Sequence, residues 1–441
     1  MSALDQPTAQ PAATMSKSYV NYALGMLLVI YTLNFLDRQI VNILAEPIKQ
    51  DLGLSDTQLG LLTGLAFAVV YTVLGIPIAR FADRPTSNRV TIIAIALAVW
   101  SAFTALCGVA QNFVQLLLAR IGVGVGEAGC TPPAHALISD KVPPEKRASV
   151  LALYSMGVPL GSLAGLALGG LIADSIGWRW AFILVGLPGL ILAVLTVMTI
   201  KEPRRLAAMQ AATAAAKPAV SFGQALAELG RKKAYWNICL AAAVISFLGY
   251  GQIAFFGSFF VRVHEMPIGQ IGLLLGFMIG ISGVIGTFIG GQIADAAAKR
   301  DTRAYVTVPA VALVVGAPFF IAAMLTPNPY LCIALLAIPT ALNSLWYGPV
   351  YAAVQSIVPP RLRATAVAIM LFIVNMIGLG LGPLTMGIVS DYFANQLGYG
   401  PGEGLRWAIL TTGSVAIIAI VLFVMARRTI REELEAAKHE T

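Results

Sequence analysis

The sequence predicts an all-α membrane protein in which twelve transmembrane helices form two repeats of six. Three observations support this fold class. Of the 441 residues, 58% are hydrophobic and 11% are charged, whereas a soluble protein carries about 25% charged residues. Twelve apolar segments are each long enough to cross a bilayer as a helix, which takes roughly 20 residues. Motifs of the first six segments recur in order in the last six.

The apolar segments, numbered as spans 1 to 12, define the predicted domain organisation. Their predicted bounds are 19–45, 58–81, 90–110, 113–138, 147–174, 179–200, 235–262, 269–294, 304–325, 329–357, 362–391 and 405–427. An amphipathic pattern from Ser221 onward predicts a short helix on the membrane surface, between spans 6 and 7. The chain therefore divides into a tail (1–18), a first six-helix bundle (19–200), a linker (201–234), a second six-helix bundle (235–427) and a second tail (428–441).

The distribution of Lys and Arg predicts the orientation in the membrane. Only Lys49, Arg179, Arg262 and Arg406 fall in loops on the side opposite to the tails. Positive charge collects on the cytoplasmic side, so we expect both tails in the cytoplasm and the chain in the cell (inner) membrane. Residues 1–17 are polar and lack an apolar core or cleavage site, which predicts a cytoplasmic tail and not a signal peptide. Anionic lipid accounts for the net charge of +8, which gives no reason to expect a nucleic-acid partner.

An internal repeat relates the two bundles. Its clearest motifs are 58–62 (QLGLL) with 270–274 (QIGLL), 142–148 (VPPEKRA) with 358–364 (VPPRLRA), and 177–181 (GWRWA) with 404–408 (GLRWA). Asp83 after span 2 corresponds in the same way to Asp295 after span 8. Two parallel halves of six spans are typical of secondary transporters whose substrate site lies between the halves, near the midplane of the membrane.

These motifs resemble the major facilitator superfamily. The loop after span 2, with Asp83, Arg84 and Arg89, resembles the signature sequence of that family. More narrowly, residues 34–38 (NFLDR) and 120–128 (RIGVGVGEA) resemble the spinster subfamily, whose animal members transport lysolipids and sphingosine phosphate. The resemblance implies the major facilitator fold and, for a member of bacterial type, a lipid-like cargo.

The repeated loops are predicted to form a gate on the cytoplasmic side. Asp83 and Asp295 each follow a span and precede a basic loop, which in the first half contains Arg84 and Arg89. A carboxylate in this position can accept hydrogen bonds from the N-terminus of a nearby helix. We expect these residues to hold the bundles together when the cavity is closed to the cytoplasm.

Span 1 carries two adjacent opposite charges, Asp37 and Arg38. On helical spacing Tyr31, Asn34 and Arg38 lie along one face, with Asp37 at its edge. A charge near the centre of a span costs roughly 2.5–3.5 kcal/mol, so both should face protein or a water-filled cavity. We interpret this face as part of a polar pathway. The alternative is that the two charges only cap the outer end of the helix.

Span 4 carries a second polar face on which Arg120, Glu127 and Thr131 recur at helical spacing. Arg120 is expected at the same depth as Arg38, with Glu127 closer to the middle of the membrane. The glycines of 124–129 match a Gly-x-Gly-x-x-Gly nucleotide pattern, but that pattern requires a soluble strand-loop-helix unit. Within a span, small residues indicate close helix packing. The alternative for the charges is a set of buried ion pairs that only fixes this packing.

The second bundle has no matching charges. The repeat aligns Glu127 with Asn343 of span 10, and Tyr347 is one of several aromatic residues nearby. Aromatic residues in spans often serve as packing residues or interface anchors. A charged first half that faces an aromatic second half nevertheless favours an amphipathic substrate with an anionic head.

Together these patterns predict a proton-coupled secondary transporter that works by alternating access. Asp37 and Glu127 are the predicted proton-coupling carboxylates. The predicted substrate-binding residues are Tyr31, Asn34, Arg38, Arg120, Thr131, Asn343 and Tyr347. The expected substrate is a lipid-like or other organic anion, and a small sugar acid or carboxylate is the alternative. A receptor or an intramembrane enzyme is disfavoured, since the full-length repeat is present and no nucleophile–base set occurs within the spans.

No cofactor or metal is expected. The sequence has no Gly-x-x-x-x-Gly-Lys-Ser/Thr loop, so ATP is not the expected energy source. Four cysteines lie far apart in apolar segments and are predicted to be packing residues. The expected partners are protons, membrane lipids and the substrate, and the chain is expected to act as a monomer.

Overall fold

The structure, a computed structural model, describes residues 16–84, 86–202 and 222–439. Within these residues it contains twelve helical segments long and apolar enough to cross a membrane, and no strand. The spans are Lys17–Ile43, Asp56–Ala82, Arg89–Cys107, Phe113–Lys141, Ser149–Ile176, Trp178–Thr199, Lys233–His264, Ile268–Ala298, Ala304–Leu325, Pro329–Ser356, Pro360–Gln396 and Gly400–Glu435. The predicted all-α fold class with twelve spans is confirmed.

Span 12 is longer than its apolar segment predicted. Its helix Ala416–His439 continues well past the predicted end at residue 427. The added sequence is rich in Arg, Glu, Ala and Lys, which are strong helix formers. A helix can therefore leave the membrane without ending, and hydropathy alone does not detect its true end.

Two short helices lie outside the spans, Ala45–Leu52 after span 1 and Phe222–Gly230 before span 7. The second of these is the predicted amphipathic linker helix. Its Ala225 and Leu229 are buried in the core of the second half, and the Leu229 carbonyl accepts a hydrogen bond of 3.0 Å from the Trp236 indole. The predicted first tail and the linker fall mostly on residues 1–15 and 203–221, which lie outside the described residues, as do residues 440–441.

Several spans are interrupted by irregular turns. Span 4 consists of Phe113–Glu127 and Thr131–Lys141. Pro132 and Pro133 cause this break, because neither has an N–H to donate to the preceding turn. The remaining interrupted spans contain the segments Asp56–Gly60, Leu61–Leu65 and Ala66–Ala82 (span 2), Pro144–Ser155 and Gly157–Ile176 (span 5), Pro329–Asn343, Ser344–Trp346 and Tyr347–Ser356 (span 10), Pro360–Leu362, Arg363–Ile373, Val374–Leu381, Gly382–Asp391 and Tyr392–Gln396 (span 11), and Gly400–Gly413 and Ala416–His439 (span 12).

The repeated motif QxGLL provides a close contact between the halves in both copies. A Cβ on Gly60 of span 2 would lie 2.8 Å from the Leu384 Cα of span 11. In the second copy, a Cβ on Gly272 of span 8 would lie 3.1 Å from the Gly170 Cα of span 5. Both glycines therefore allow helices of opposite halves to approach closely, as small residues do in membrane interfaces.

In each half, a hydrogen bond joins the start of the first span to the end of the sixth, and both bonds lie at the same face of the membrane. The backbone N–H of Lys201, after span 6, donates to the Tyr19 hydroxyl at 2.6 Å. In the second half, the N–H of Ala234 donates to the Glu433 carboxylate of span 12 at 2.7 Å. We call this side the terminal face and the opposite side the far face. All four cysteines are free and buried, as predicted.

Candidate functional site

A small cavity of about 30 Å³ lies between the two halves. It contains both of the arginines that the sequence singled out, Arg38 of span 1 and Arg120 of span 4. The other lining residues are Phe35, Gln39, Asn42, Thr63 and Phe67 from the first half and Tyr250, Leu379 and Pro383 from the second. A volume of this order holds only about one or two water molecules.

Arg38 is fixed in the wall of the cavity by an ion pair and by aromatic rings. Its Nε donates to Glu127 Oε2 at 2.6 Å. The guanidinium carbon lies 4.4 Å from the centre of the Tyr71 ring and 5.0 Å from the rings of Phe35 and Phe67. A planar guanidinium suits both kinds of contact.

The two predicted coupling acids lie behind the arginines and do not line the cavity. Asp37 is 2% exposed and Glu127 is 1% exposed. Asp37 points into the first bundle, where it faces Trp100 and Thr104 of span 3 and Arg120 of span 4. This places the acids and the cavity on opposite sides of the arginine side chains.

These residues form a polar cluster inside the first half, consisting of Asn34, Asp37, Trp100, Thr104, Arg120 and Glu127. Each has at least one buried polar atom without a hydrogen-bond partner among the described residues. Burial of an unpaired polar group is costly, so such groups in proteins usually bind internal water or change their protonation state. No group of acids, His or Cys in the described part of the chain is arranged to hold a metal ion.

The break in span 4 changes the polar face that was predicted as continuous. Arg120 and Glu127 lie in the first helix of the span, and Thr131 begins the second, whose direction is set after the turn at 128–130. His135 follows in that second helix, and its ring packs edge-on against Tyr154 at 5.4 Å. Thr131 and His135 therefore lie beyond the cluster, toward the terminal face.

In the second half, the predicted residues of span 10 lie at another irregular turn. Asn343 ends one helix and Tyr347 begins the next. Tyr347 is 42% exposed, stacks on Trp346 at 4.2 Å, and lies near Tyr31 of the first half and Tyr250 of span 7. The phenol groups therefore meet across the space between the halves.

At the terminal face, no hydrogen bond or ion pair of Asp83 or Asp295 joins the halves among the described residues. Asp83 and Asp295 are exposed, and Asp295 accepts a hydrogen bond of 3.4 Å from Tyr305 of its own half. The Arg84 guanidinium lies over the Phe81 ring at 5.5 Å. A role in closing this face therefore stays a prediction for a conformation other than the one described.

Arg89 is buried within the first half. It donates to Asp140 of span 4 and to Glu202 after span 6, each at 2.6 Å. The network ties the ends of three spans of one bundle together, so in this conformation Arg89 stabilises the bundle itself.

An ionic contact between the halves lies at the far face and was not predicted. Arg262 of span 7 pairs with Glu46 and with Asp56 of the first half, each at 2.7 Å. Asp56 is 1% exposed and also accepts hydrogen bonds from Lys49 and Ser390, each at 2.6 Å. We call these residues, together with Asp391 of span 11, the far-face lock.

Asp391 of span 11 belongs to the lock because it caps the first turn of span 2. Its carboxylate accepts from the N–H groups of Asp56 and Thr57 at 3.0 and 2.8 Å, and from the Thr57 hydroxyl at 2.6 Å. A negative charge is favourable at a helix N-terminus. The sequence contained one signal for this contact. Each of the few basic residues in the far-face loops would need an acid nearby.

Comparison with known proteins agrees with this architecture. The Major Facilitator Superfamily model matches residues 27–383. An MFS-type efflux pump of Mycolicibacterium smegmatis is 36% identical over 416 residues, covering 94% of this chain and 95% of that protein. A hexuronate transporter of Bacillus subtilis is 26% identical over 89% of this chain and 92% of its own length. A sphingosine-1-phosphate transporter of Danio rerio is 26% identical over 91% of this chain and 82% of its own length.

Among solved structures, the chain is similar to a bacterial homolog of the human lysosomal transporter Spinster. In its inward-facing, unoccupied conformation that protein is 35% identical and superposes with a TM-score of 0.85, covering 95% of this chain and 99% of the homolog. In its inward-facing, occupied conformation the TM-score is 0.83. The resemblance to the spinster subfamily, inferred from spans 1 and 4, is therefore confirmed.

Proposed function

The chain belongs to the major facilitator superfamily, and from this premise we propose that it is a proton-coupled transporter of an amphipathic organic anion. One observation carries the proposal. Arg38 and Arg120 line the cavity between the halves, while Asp37 and Glu127 are buried directly behind them. An arrangement of this kind offers positive charge to the cargo and keeps two proton acceptors next to that charge.

The lining of the cavity supports an anion with an apolar part. The arginines suit a phosphate or carboxylate, to which guanidinium groups bind with matching geometry. Around them lie aromatic and aliphatic side chains such as Phe35, Phe67 and Leu379. The sphingosine-1-phosphate transporter among the relatives handles a molecule of this chemistry. A sugar acid is the second candidate, favoured by the hexuronate transporter among the relatives.

The contacts between the halves support an inward-facing conformation. The far-face lock joins the halves on one side, whereas Asp83 and Asp295 are exposed on the other. The superposed homolog is inward-facing in both of its structures. We assign the terminal face to the cytoplasm, because most basic loops lie on that side. Transport then requires the lock to open and the terminal face to close.

Coupling of substrate binding to proton uptake follows because the acids and the anionic substrate bind the same arginines. Arg38 now pairs with Glu127, and an anion that binds Arg38 competes for the same guanidinium. Loss of one partner from a buried ion pair costs roughly 3–5 kcal/mol, which a proton on the freed carboxyl can offset. Substrate binding and proton uptake are therefore linked through Arg38 and, by its position beside Asp37, through Arg120.

A transport assay tests the proposal. The purified chain is placed in liposomes, and uptake of radiolabelled sphingosine-1-phosphate or glucuronate is followed with and without a pH gradient. We expect the gradient to drive sphingosine-1-phosphate transport. Asp37→Asn and Glu127→Gln should each abolish the driven component, because neither amide can exchange a proton.

Asp51→Asn is the matched control, since it removes a carboxylate that pairs with Arg179 at the far surface and should leave transport unchanged. Driven uptake that survives in both cluster variants would show that proton coupling lies elsewhere. Transport of glucuronate alone would establish the second candidate, and transport of neither probe would contradict the proposed substrate class.

A further inference from the structure

Thr104 of span 3, like Thr72 of span 2, differs from the other buried threonines in the spans. Thr63, Thr196 and Thr412 each donate to the carbonyl oxygen four residues earlier, at 2.6 to 2.9 Å. This back-bonding is the ordinary way to satisfy a hydroxyl inside an apolar helix. Thr104 is fully buried, yet its hydroxyl makes no such bond and faces the Asp37 carboxyl instead. The side chain therefore forgoes a local partner to lie beside the acid.

Trp100 lies one helical turn before Thr104 and faces the same carboxyl. It is fully buried, and its indole N–H has no hydrogen-bond partner among the described residues. Gly126 of span 4 packs directly against it, because a Cβ at Gly126 would lie 2.8 Å from the Trp100 Cβ. The backbone of Trp100 therefore lies against span 4, one residue before Glu127.

Neither side chain makes a hydrogen bond of ordinary geometry to Asp37, although both are close enough to stabilise its charge. Polar groups separated by slightly more than a hydrogen bond are commonly bridged by water. The charged or titratable groups that face Asp37 are Arg120 and Glu127 of span 4 and Cys107 of span 3. Asp37 thus has donors on one side and the second acid of the cluster on the other.

Arg120 lies between Asp37 and the cavity. It lines the cavity, but its Nε and Nη1 are buried and unpartnered on the side of the cluster. Glu127 has the same two-sided character, because Oε2 binds Arg38 of the cavity wall and Oε1 is buried without a partner. Both side chains therefore connect the cavity wall with the polar cluster.

We propose that Thr104 and Trp100 are positioning residues that hold Asp37 in a hydrated chamber inside the first half, where it exchanges a proton with Glu127. In this step protonated Asp37 gives its proton to a bridging water, and that water chain delivers one proton to Oε1 of Glu127. One O–H bond breaks at Asp37, one forms at Glu127, and no water is consumed. The proton does not enter the substrate cavity.

This inference rests on the proposed proton coupling, but its test does not require transport. The purified full-length chain in lipid nanodiscs, without substrate, is titrated while the infrared band of protonated carboxyl groups is recorded. The band that disappears in Asp37→Asn belongs to Asp37. In Thr104→Val, which keeps the shape and removes the hydroxyl, we expect the midpoint of that band to move to a higher pH by about one unit. Thr104→Ser keeps the hydroxyl and should retain the wild-type midpoint.

Two further variants make the outcome decisive. Trp100→Phe should also move the midpoint of the Asp37 band to a higher pH. Glu127→Gln removes the charge of the second acid, so the Asp37 band should no longer depend on that charge. If Thr104→Val and Trp100→Phe fold and leave the midpoint unchanged, the two residues only pack and the inference is wrong. If the midpoint moves but Asp37→Asn still shows pH-driven uptake, the positioning role stands and the proposed coupling fails.

Discussion

Asp56 is the carboxylate on which the far-face lock depends. It is almost fully buried and accepts hydrogen bonds from Arg262, Lys49 and Ser390, so its negative charge balances two cations. Removal of one member of a buried ion pair costs roughly 3–5 kcal/mol. Because Glu46 still pairs with Arg262, we expect Asp56→Asn to lower the free energy of unfolding by about 3 kcal/mol, measured as a lower thermal midpoint in detergent.

Asp51→Asn provides the comparison at the same face. Asp51 pairs with Arg179, but the two side chains are 44% and 38% exposed. An exposed pair contributes about 0–1 kcal/mol because water and salt screen it. Equal thermal midpoints in the two variants would mean that Asp56 is not a structural anchor.

Individual residues were predictable where they were chemically exceptional in their surroundings. Arg38 and Glu127 are charges within apolar spans, and each needed an opposite charge, which the structure supplies as their mutual ion pair. Trp100 and Thr104 are ordinary residues in an apolar span, so no sequence pattern marked them. Only the structure shows that their polar atoms turn toward Asp37.

At the level of elements, the contact of span 3 with span 4 depends on Gly126. A Cβ there would lie 2.9 Å from the Trp100 Cα, and backbone atoms cannot rotate away. Overpacking costs about 1–3 kcal/mol, against a gain in helix propensity of about 1 kcal/mol for Gly to Ala. We expect Gly126→Ala to be less stable than wild type by thermal unfolding and to alter the fluorescence of Trp100.

Gly75→Ala is the matched control, since this glycine lies inside a helix of span 2 and a Cβ would have no neighbour within 4 Å. It should be neutral or stabilising by up to about 1 kcal/mol. A loss of stability common to both variants would indicate a general effect of alanine and not a specific contact.

Hydropathy predicted the twelve spans well, whereas the spacing of polar residues predicted the course of span 4 poorly. Twelve spans follow from the apolar segments because a bilayer requires long, internally bonded helices. The polar face of span 4 was predicted with continuous helical spacing, whereas Pro132 and Pro133 interrupt the helix after Glu127. Proline signals a break, but the direction of the next helix depends on packing that the sequence does not specify.

For the whole molecule, Arg262 is expected to set the balance between conformations. It is a cation that connects the halves at the far face, so Arg262→Ala should favour opening of that face. Spin labels at Gln111 and Asn395 should move apart across the far face, and labels at Thr86 and Lys299 should approach each other across the terminal face. Double electron–electron resonance measures both distances, and the four native cysteines are buried away from the label.

Arg406→Ala tests whether this effect is specific. Arg406 is another far-face arginine, but its ion pair is with Glu403 of its own half. Both distance distributions should stay as in the wild type. If Arg262→Ala also leaves them unchanged, the far-face lock does not control which side is closed.

The overall architecture was predictable because the sequence repeats itself. Gly60 and Gly272, which occupy equivalent places in the two copies of one motif, both lie where opposite halves touch. The far-face lock was not predictable, since Glu46 and Arg262 come from distant parts of the chain and lie outside the repeated motifs, although Asp391 corresponds to Asp174, which lies beside Gly269 at the start of span 8. Contacts that break the symmetry of the repeat require the folded structure.

The one-sided placement of the charged groups has a mechanical consequence. Asp37, Arg38, Arg120 and Glu127 all belong to spans 1 and 4, within the same half. Rocking of the halves then leaves the separations among these groups unchanged and alters only which bulk phase can wet them. In the proposed mechanism the second half acts as a movable wall, and a proton gradient drives transport through a change of hydration around these charges.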